Sequence, residues 1–266
     1  MNANKGKSSF LIPSYNDNDF LLRTLESIDN EGIHILIVDD GSEVRVEKFI
    51  SNYNFNSEIT VVTLEGNQGI TRALNEGLLY LKEKMFRYIF RIDAGDININ
   101  GRVDKQLEFL VSKKLGMLGG HVEYYTNDNK FAHYLPIEDV EIKRLQYMRS
   151  CFIHPSIVFD LDKIDGLYSE NFKYAEDYEL FLRVLKHPGV NVGNLNEIVV
   201  QCLVRSDGIS LSNRRKQIVS VIKAQVVHFD VTNKYSYLGV FKSILLLVLP
   251  YGVVEKLKSI YRHFKR

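Results

Sequence analysis

The stretch HILIVDDGS, residues 34–42, joins a short apolar run to two acids and a glycine. Similar apolar runs occur at SSFLIP (8–13), EITVVTLE (58–65) and YIFRID (88–93), and segments with helical spacing separate the four runs. Continuous apolar strands are typical of a parallel sheet that helices cover on both faces. The first hundred residues are therefore predicted to form a βαβαβαβ unit, with the helix DFLLRTLESI N-capped by its own aspartate.

Beyond residue 100 the pattern changes from regular alternation to a mixture of elements. Helical spacing predicts helices, and shorter apolar runs predict strands. The predicted helices are 102–113, 138–149, 174–187 and 214–229, the strand-like segments are 115–125 and 151–160, and 126–136 is predicted to be a polar loop.

The composition is that of a soluble globular protein. Of 266 residues, 45% are hydrophobic and 25% are charged, so a sizeable core is expected. Cys151 and Cys202 each stand alone, which indicates neither a zinc site nor a disulfide framework. The N-terminal apolar stretch is only three residues, FLI, too short for the core of a signal peptide. We therefore predict a cytoplasmic protein.

Charge is distributed unevenly along the chain. Residues 214–266 hold 11 Lys or Arg and 2 acids, whereas the remaining residues carry 23 basic and 31 acidic side chains. An acidic body argues against nucleic-acid binding over the main surface, and the basic tail is predicted to meet an anionic surface.

The tail combines an apolar segment with a basic end. Residues 238–254 are apolar but include Lys242 and Pro250, and the twelve residues that follow hold five basic side chains and one acid. This pattern favours insertion into the headgroup boundary of an anionic membrane over a spanning helix. The alternative is an ordinary core helix with a solvated basic end.

Polar residues follow each predicted strand of the first half. In an open parallel sheet, ligands bind at the carboxyl ends of the strands. Acids there suit the base and ribose of a nucleotide, with a divalent cation to neutralise its phosphates. The sequence lacks GxxxxGK[ST], GxGxxG, HExxH and GxSxG motifs, so other phosphate-binding loops and the zinc and serine hydrolases have no support.

Six segments in order, IPSYN, VDDGS, EGNQGITRALNEGL, FRIDAGD, IHPSIVF and YAEDYELFLR, resemble glycosyltransferase family 2 over residues 8–213. The resemblance is to the bacterial surface-polysaccharide type of these inverting enzymes. It implies a GT-A fold: a mixed, mainly parallel α/β sheet flanked by helices, here with a C-terminal helical tail. It also implies transfer of one sugar from a nucleotide-diphosphate sugar to a glycan acceptor, with inversion.

The resemblance assigns roles residue by residue. Asp177 matches the catalytic base, which takes the proton of the acceptor hydroxyl. His154, Glu176 and Arg205 are predicted contacts of the acceptor or diphosphate. The predicted donor-binding residues are Pro13, Tyr15, Asn16, Asp39, Asp40, Asn67, Gly69, Arg72, Asn75, Arg91 and Asp93.

Simpler roles stay open for several of these residues. Glu176 and Asp177 would otherwise cap a helix, His154 would be a satisfied core histidine, and Arg205 would belong to a solvated basic segment. Aromatic faces near the polar loop, at Tyr124, Tyr125 and Tyr134, are predicted to stack on an acceptor sugar.

Gly95 breaks the family's usual D-A-D-D pattern, in which the third residue binds Mn²⁺ or Mg²⁺. Residues 93–96 are D-A-G-D. The favoured interpretation is that Asp93 or Asp96 coordinates the metal. The alternatives are a weakly held metal, Arg and Lys side chains that carry the phosphate charge, or loss of catalysis.

The sequence thus predicts a nucleotide-sugar-binding half (1–100), an acceptor-binding and catalytic half (101–213) and a basic, membrane-associated tail (214–266). The tail favours a lipid-linked glycan or glycolipid acceptor and a peripheral position at the inner face of the cytoplasmic membrane. Two alternatives to an active enzyme stay open: an inactive nucleotide-sugar-binding protein and a membrane-docked scaffold.

Overall fold

A computed structural model describes residues 2–126, 129–204 and 213–249. The strands are β1 (Ser8–Ser14), β2 (His34–Asp39), β3 (Ile59–Thr63), β4 (Tyr88–Arg91), β5 (Ile97–Asn98), β6 (Met117–Tyr125), β7 (Lys130–His133), β8 (Val158–Asp160) and β9 (Val192–Leu203). The helices are α1 (Asn2–Lys5), α2 (Asn18–Ile28), α3 (Val46–Ile50), α4 (Ile70–Glu83), α5 (Arg102–Ser112), α6 (Asp139–Leu145), α7 (Glu176–Lys186), α8 (Arg214–Val227) and α9 (Lys234–Val248).

All nine of these strands belong to one sheet, in the order β3-β2-β1-β4-β8-β6-β9-β5, with β7 paired to β6. The first four strands are parallel, as predicted, with Leu11 opposite Leu36 and Ile37 opposite Val61. Strand β8 is antiparallel to β4 and to β6, and β9 is parallel to β6. Strands from before and after residue 100 therefore share a single sheet.

Alternation along the buried strands sends side chains to two cores. Phe10 and Ile12 pack with residues of α2 and α5 on one face, whereas Leu11 packs with residues of α4 and α7 on the other. Gly77 of α4 permits close contact with the sheet, because a Cβ there would lie 2.4 Å from Leu11 Cδ1. Burial on both faces explains why these strands are continuously apolar.

Several elements differ from the sequence predictions. Asp19 lies in the first turn of α2 rather than at its N-cap, which is Asp17. The predicted polar loop 126–136 contains β7, which forms a hairpin with β6. The predicted strand 151–160 begins as a 3-10 turn, His154–Ser156, since Pro155 has no N–H for a sheet ladder. Strand β9 was not predicted.

The C-terminal helices pack against α7 and the segment that precedes β8. Tyr147, Tyr178 and Ala224 form part of a third apolar cluster between these elements. Gly239 brings α9 against the body, because a Cβ there would lie 2.0 Å from the Tyr147 carbonyl oxygen. Within the described ranges, no helix has the length and apolar character needed to cross a membrane. The basic end of the predicted membrane segment, 255–266, lies outside the described residues.

Candidate active site at the carboxyl ends of the strands

The two acids after β2 hold the backbone of neighbouring loops. Buried Asp39 accepts hydrogen bonds from the N–H groups of Ser42 (2.8 Å) and Val46 (3.1 Å). Asp40 accepts from the N–H groups of Gln68 (2.7 Å) and Gly69 (2.8 Å). Asp39 thus shapes its own loop, and Asp40 ties the end of β2 to the loop after β3, at the predicted ligand-binding edge.

The end of β1 is fastened to the same loop. Asn16 has a φ of 54°, and its N–H donates to Ser42 Oγ at 2.9 Å. The Asn16 Oδ1 accepts from the Glu43 N–H at 2.9 Å. Pro13 is half-buried near the end of the strand, Ser14 after it is buried, and the Tyr15 ring is exposed. An open aromatic face therefore lies at the edge where a nucleotide base is expected to bind.

Some residues around the start of α4 are exposed, and others make contacts within the chain. Asn67 is exposed, and Gly69 adopts a φ of 91° just before the helix. Arg72 pairs with Glu76 at 2.9 Å. The Asn75 amide instead bonds the backbone of Tyr168, donating to its carbonyl and accepting from its N–H, both at 2.8 Å. Both polar atoms of Asn75 therefore serve a contact within the chain.

Arg91 supports Asp93 from inside the core. The Arg91 guanidinium is fully buried, donates to the Leu11 carbonyl at 3.2 Å and forms short bonds to the Ile92 carbonyl and Asp93 Oδ1. The Asp93 side chain is 38% exposed. Burial acts to raise the pKa of Asp93, but the charge of Arg91, the influence of His154 and the hydrogen bond from Arg91 together outweigh it and hold that pKa below its ordinary value. Asp93 is thus an ionised carboxylate at the open edge.

Asp96 faces away from that edge. It is buried, and its carboxyl accepts the Leu203 N–H of β9 at 2.9 Å. Burial, together with the negative charge of Asp93, raises the pKa of Asp96 well above its ordinary value. Gly95 between them has a φ of 100° and donates its N–H to Thr24 Oγ1 at 2.9 Å.

These positions decide how a divalent cation fits the site. Within the described residues, no group of three or more His, Cys, Asp or Glu side chains lies in position to hold a metal ion. Mg²⁺ is commonly bound by one or two carboxylates together with substrate phosphates. Asp93 fits such a role as the protein ligand of a diphosphate-bound cation, whereas Asp96 is directed at β9.

Half-buried His154 and buried Tyr168 form a pair next to Arg91 and Asp93. His154 Nε2 lies 2.7 Å from the Tyr168 hydroxyl. Burial, followed by the positive charge of Arg91, lowers the pKa of His154 to about 3, so the imidazole is neutral. Burial also raises the pKa of the Tyr168 hydroxyl. Tyr168 could not be singled out from the sequence, because it belongs to none of the motifs.

Glu176 and Asp177 form the first residues of α7. The N-cap residue is Ala175, and Asp177 Oδ1 accepts its neighbour's N–H, that of Tyr178, at 2.7 Å. Burial raises the pKa of Asp177, and the charge of Asp93 adds to the effect. Burial and the charge of Asp177 raise the pKa of Glu176 to about 7. Two half-buried carboxyls with raised pKa values therefore lie near the ionised Asp93.

The remaining predicted contacts lie in different surroundings. Tyr125 donates its hydroxyl to the Gly95 carbonyl at 2.7 Å and so supports the acidic turn. Tyr124 packs against Phe131 in a tilted arrangement with ring centroids 5.3 Å apart, and Tyr134 is exposed. Arg205 lies outside the described residues.

The family model for glycosyl transferase family 2 matches residues 9–164. This is more than half of the chain, which therefore belongs to that family and is a glycosyltransferase. Asp177 lies beyond the matched residues.

Curated relatives include enzymes of bacterial polysaccharide assembly. The chain is 29% identical over 214 residues to the amylovoran biosynthesis glycosyltransferase AmsE of Erwinia amylovora, covering 76% of this chain and 78% of that protein. It is 28% identical over 246 residues to an Escherichia coli UDP-Gal:alpha-D-GlcNAc-diphosphoundecaprenol beta-1,3-galactosyltransferase, covering 87% of this chain and 86% of the relative. A bifunctional glycosyltransferase of Dictyostelium discoideum, pgtA, is 25% identical over 75% of this chain, which spans only 31% of its length.

Solved structures establish the fold. A mannosyltransferase of Pyrobaculum calidifontis, in complex with GDP-Man and Mn²⁺, superposes with a TM-score of 0.63 at 12% identity. The match covers 91% of this chain and 70% of that one. The chain has the GT-A fold, as the resemblance implied.

Proposed function

We propose that this chain transfers one sugar from a nucleotide-diphosphate sugar to a lipid-linked glycan, with inversion, in the assembly of a surface polysaccharide. The observation that carries the proposal is the position of Asp177, a half-buried carboxyl within electrostatic reach of Asp93 at the strand-end edge. The E. coli relative that acts on a diphosphoundecaprenol-linked sugar supports the class of acceptor.

The chemistry assigned to Asp177 is that of a general base. The acceptor hydroxyl oxygen forms a bond to the anomeric carbon from the face opposite the leaving group, and its proton passes to the Asp177 carboxylate. The bond between the anomeric carbon and the diphosphate oxygen breaks, and the nucleoside diphosphate keeps the electron pair. Because the pKa of Asp177 is raised, its ionised carboxylate is a stronger base than an ordinary aspartate.

Each half of the chain contributes to this reaction. The ends of β1 to β4, within residues 1–100, are proposed to bind the donor, and residues 101–213 the acceptor. Asp93 would hold a Mn²⁺ or Mg²⁺ ion, which neutralises the charge of the leaving diphosphate when bound. The mannosyltransferase that shares this fold is in complex with GDP-Man and Mn²⁺, which supports the use of a divalent cation here.

Helix α9 is proposed to rest on the inner face of the cytoplasmic membrane. Its exposed side chains recur at helical spacing and form one apolar face, composed of Tyr237, Leu238, Phe241, Ile244, Leu245 and Val248. The sequence that follows holds five basic residues within 255–266. An apolar helix face beside cationic side chains favours an anionic bilayer surface.

The test is sugar transfer to octyl-diphosphoryl-GlcNAc, a short-chain acceptor, from UDP-, GDP- and dTDP-sugars with Mn²⁺. One class of donor should support transfer by the wild type. Asp177→Asn should abolish it yet retain binding of the nucleotide, because Asp177 acts on the acceptor. Asp165→Asn, at an exposed acid of the same half, is the matched control. Transfer by Asp177→Asn at the wild-type rate, or binding of no nucleotide by the wild type, would overturn the proposal.

A further inference from the structure

A cavity of about 280 Å³ lies between the start of α7 and the two C-terminal helices. Its size is near the lower end of small-molecule pockets, about 300 Å³. Asp177 is one of the lining residues, and its carboxyl also lies within electrostatic reach of Asp93. A molecule in the cavity would therefore meet the proposed base from the side of α8 and α9.

One residue of the cavity lining carries a buried hydrogen-bond acceptor that has no donor among the described residues. Gln225 of α8 is 3% exposed and lines the cavity. Its Nε2 donates to the Tyr147 carbonyl at 2.9 Å, which orients the amide. Its Oε1 has no hydrogen-bond partner among the described residues. Because a buried polar atom is costly to leave unpaired, this oxygen suits a ligand that brings an O–H or N–H donor, such as a sugar.

Charged and apolar side chains line other parts of the same cavity. Arg149 and Lys242 are exposed cations in its lining, and Lys242 donates to the Met148 carbonyl at 3.0 Å. Ile218 and Leu246 supply apolar surface. The combination matches a ligand that carries an anionic group between a sugar and an apolar chain.

The approach to Asp177 is also under backbone strain. Tyr174, which lines the cavity, has a φ of 74°, and such a left-handed conformation is unfavourable for a bulky residue. Strained residues of this kind cluster at ligand-binding sites. A void left by imperfect packing of α8 and α9 would require neither this strain nor two cations in its lining.

We infer that this cavity is the acceptor site, and that it recognises a sugar joined to a lipid through a diphosphate. The sugar lies between Asp177 and Gln225, the diphosphate contacts Arg149 and Lys242, and the lipid leaves along α9. The inference rests on the proposed function for the reaction itself, but binding of the acceptor tests it without turnover.

The experiment compares two soluble probes by calorimetric titration of the full chain. Octyl-diphosphoryl-GlcNAc carries the diphosphate, and octyl β-GlcNAc lacks it. The wild type should bind the first at least about tenfold more tightly, as expected for charge-assisted hydrogen bonds. Arg149→Gln should remove most of that difference. Arg144→Gln, at an exposed arginine outside the cavity lining, should preserve it.

A second variant tests the cavity itself. Ser243 is buried in the lining, so Ser243→Leu should fill the space and weaken binding of both probes, whereas Ser112→Leu, at an exposed serine, should not. Folding is verified by retained nucleotide binding. The inference would be overturned if the wild type bound both probes equally, or if Arg149→Gln kept the preference for the diphosphate probe. It would also be overturned if Ser243→Leu bound the probes as tightly as the wild type. Probe binding that follows these expectations without sugar transfer would refute the proposed function and leave the acceptor site standing.

Discussion

The pair formed by Arg91 and Asp93 gives the most demanding prediction. Asp93→Asn leaves the buried guanidinium without its carboxylate. Removing one partner of a fully buried pair costs about 3–5 kcal/mol. Since the Asp93 side chain is 38% exposed, water screens part of the interaction, and we expect the free energy of unfolding to fall by about 1–3 kcal/mol.

A double-mutant cycle separates this effect from loss of an ordinary side chain. Arg91→Met removes the cation, so Asp93→Asn should cost less than about 0.5 kcal/mol in that background. Urea unfolding of the wild type, both single variants and the double variant at pH 7 measures the coupling energy. Equal costs of Asp93→Asn in the two backgrounds would refute the reasoning.

The contribution of Arg91 and Asp93 to the stability of the fold depends on pH. The pKa of Asp93 is lowered in the folded protein from an ordinary value of 3.8. Its contribution to stability is therefore present above that value and is lost as pH falls through the folded pKa. The difference between wild type and Asp93→Asn should shrink in that acidic range.

Three further predictions concern the surrounding residues. Asn75→Asp turns a carboxylate oxygen toward the Tyr168 carbonyl in place of an N–H donor. It should lower the free energy of unfolding, measured with urea, by about 1–3 kcal/mol. An unchanged midpoint of urea unfolding would contradict the contact. Gly95→Asp puts an aspartate into a left-handed backbone conformation and places its Cβ 3.1 Å from Leu203. The resulting strain, on the order of 1–3 kcal/mol, should lower the melting temperature. A melting temperature equal to the wild type's would disprove the strain. The pKa of Glu176 is raised from 4.5 to about 7, so its ionisation destabilises the fold as pH rises between these values. Glu176→Gln should therefore be more stable than the wild type by about 1–3 kcal/mol at pH 8 and equal to it at pH 4. An equal difference in stability at both pH values would argue against this titration.

The sequence was most informative where local pattern decides structure. The four parallel strands of the first hundred residues are continuously apolar and alternate with helical segments, so both order and type could be predicted. Strand β9 could not, because Gly193 and the polar residues Asn194, Asn196 and Glu197 interrupt its apolar pattern. Its pairing with β6 also joins residues far apart in sequence and contains a register shift at His121.

The site was predictable in position but not in the direction of its side chains. Spacing placed the acids at the carboxyl ends of the strands. It could not show that Asp40 and Asp96 bond backbone N–H groups of other segments while Asp93 reaches the open edge. The contact of Asn75 with Tyr168 spans 93 residues, and such a meeting is fixed only by the fold.

The anomeric configuration of the product tests the central claim most directly. With an α-linked sugar nucleotide as the productive donor, attack from the opposite face, assisted by Asp177, predicts a β-linked product. NMR of the purified product would assign the linkage from the coupling of its anomeric proton. A β linkage formed by the wild type and not by Asp177→Asn is the predicted result, and an α linkage would contradict the single-displacement mechanism.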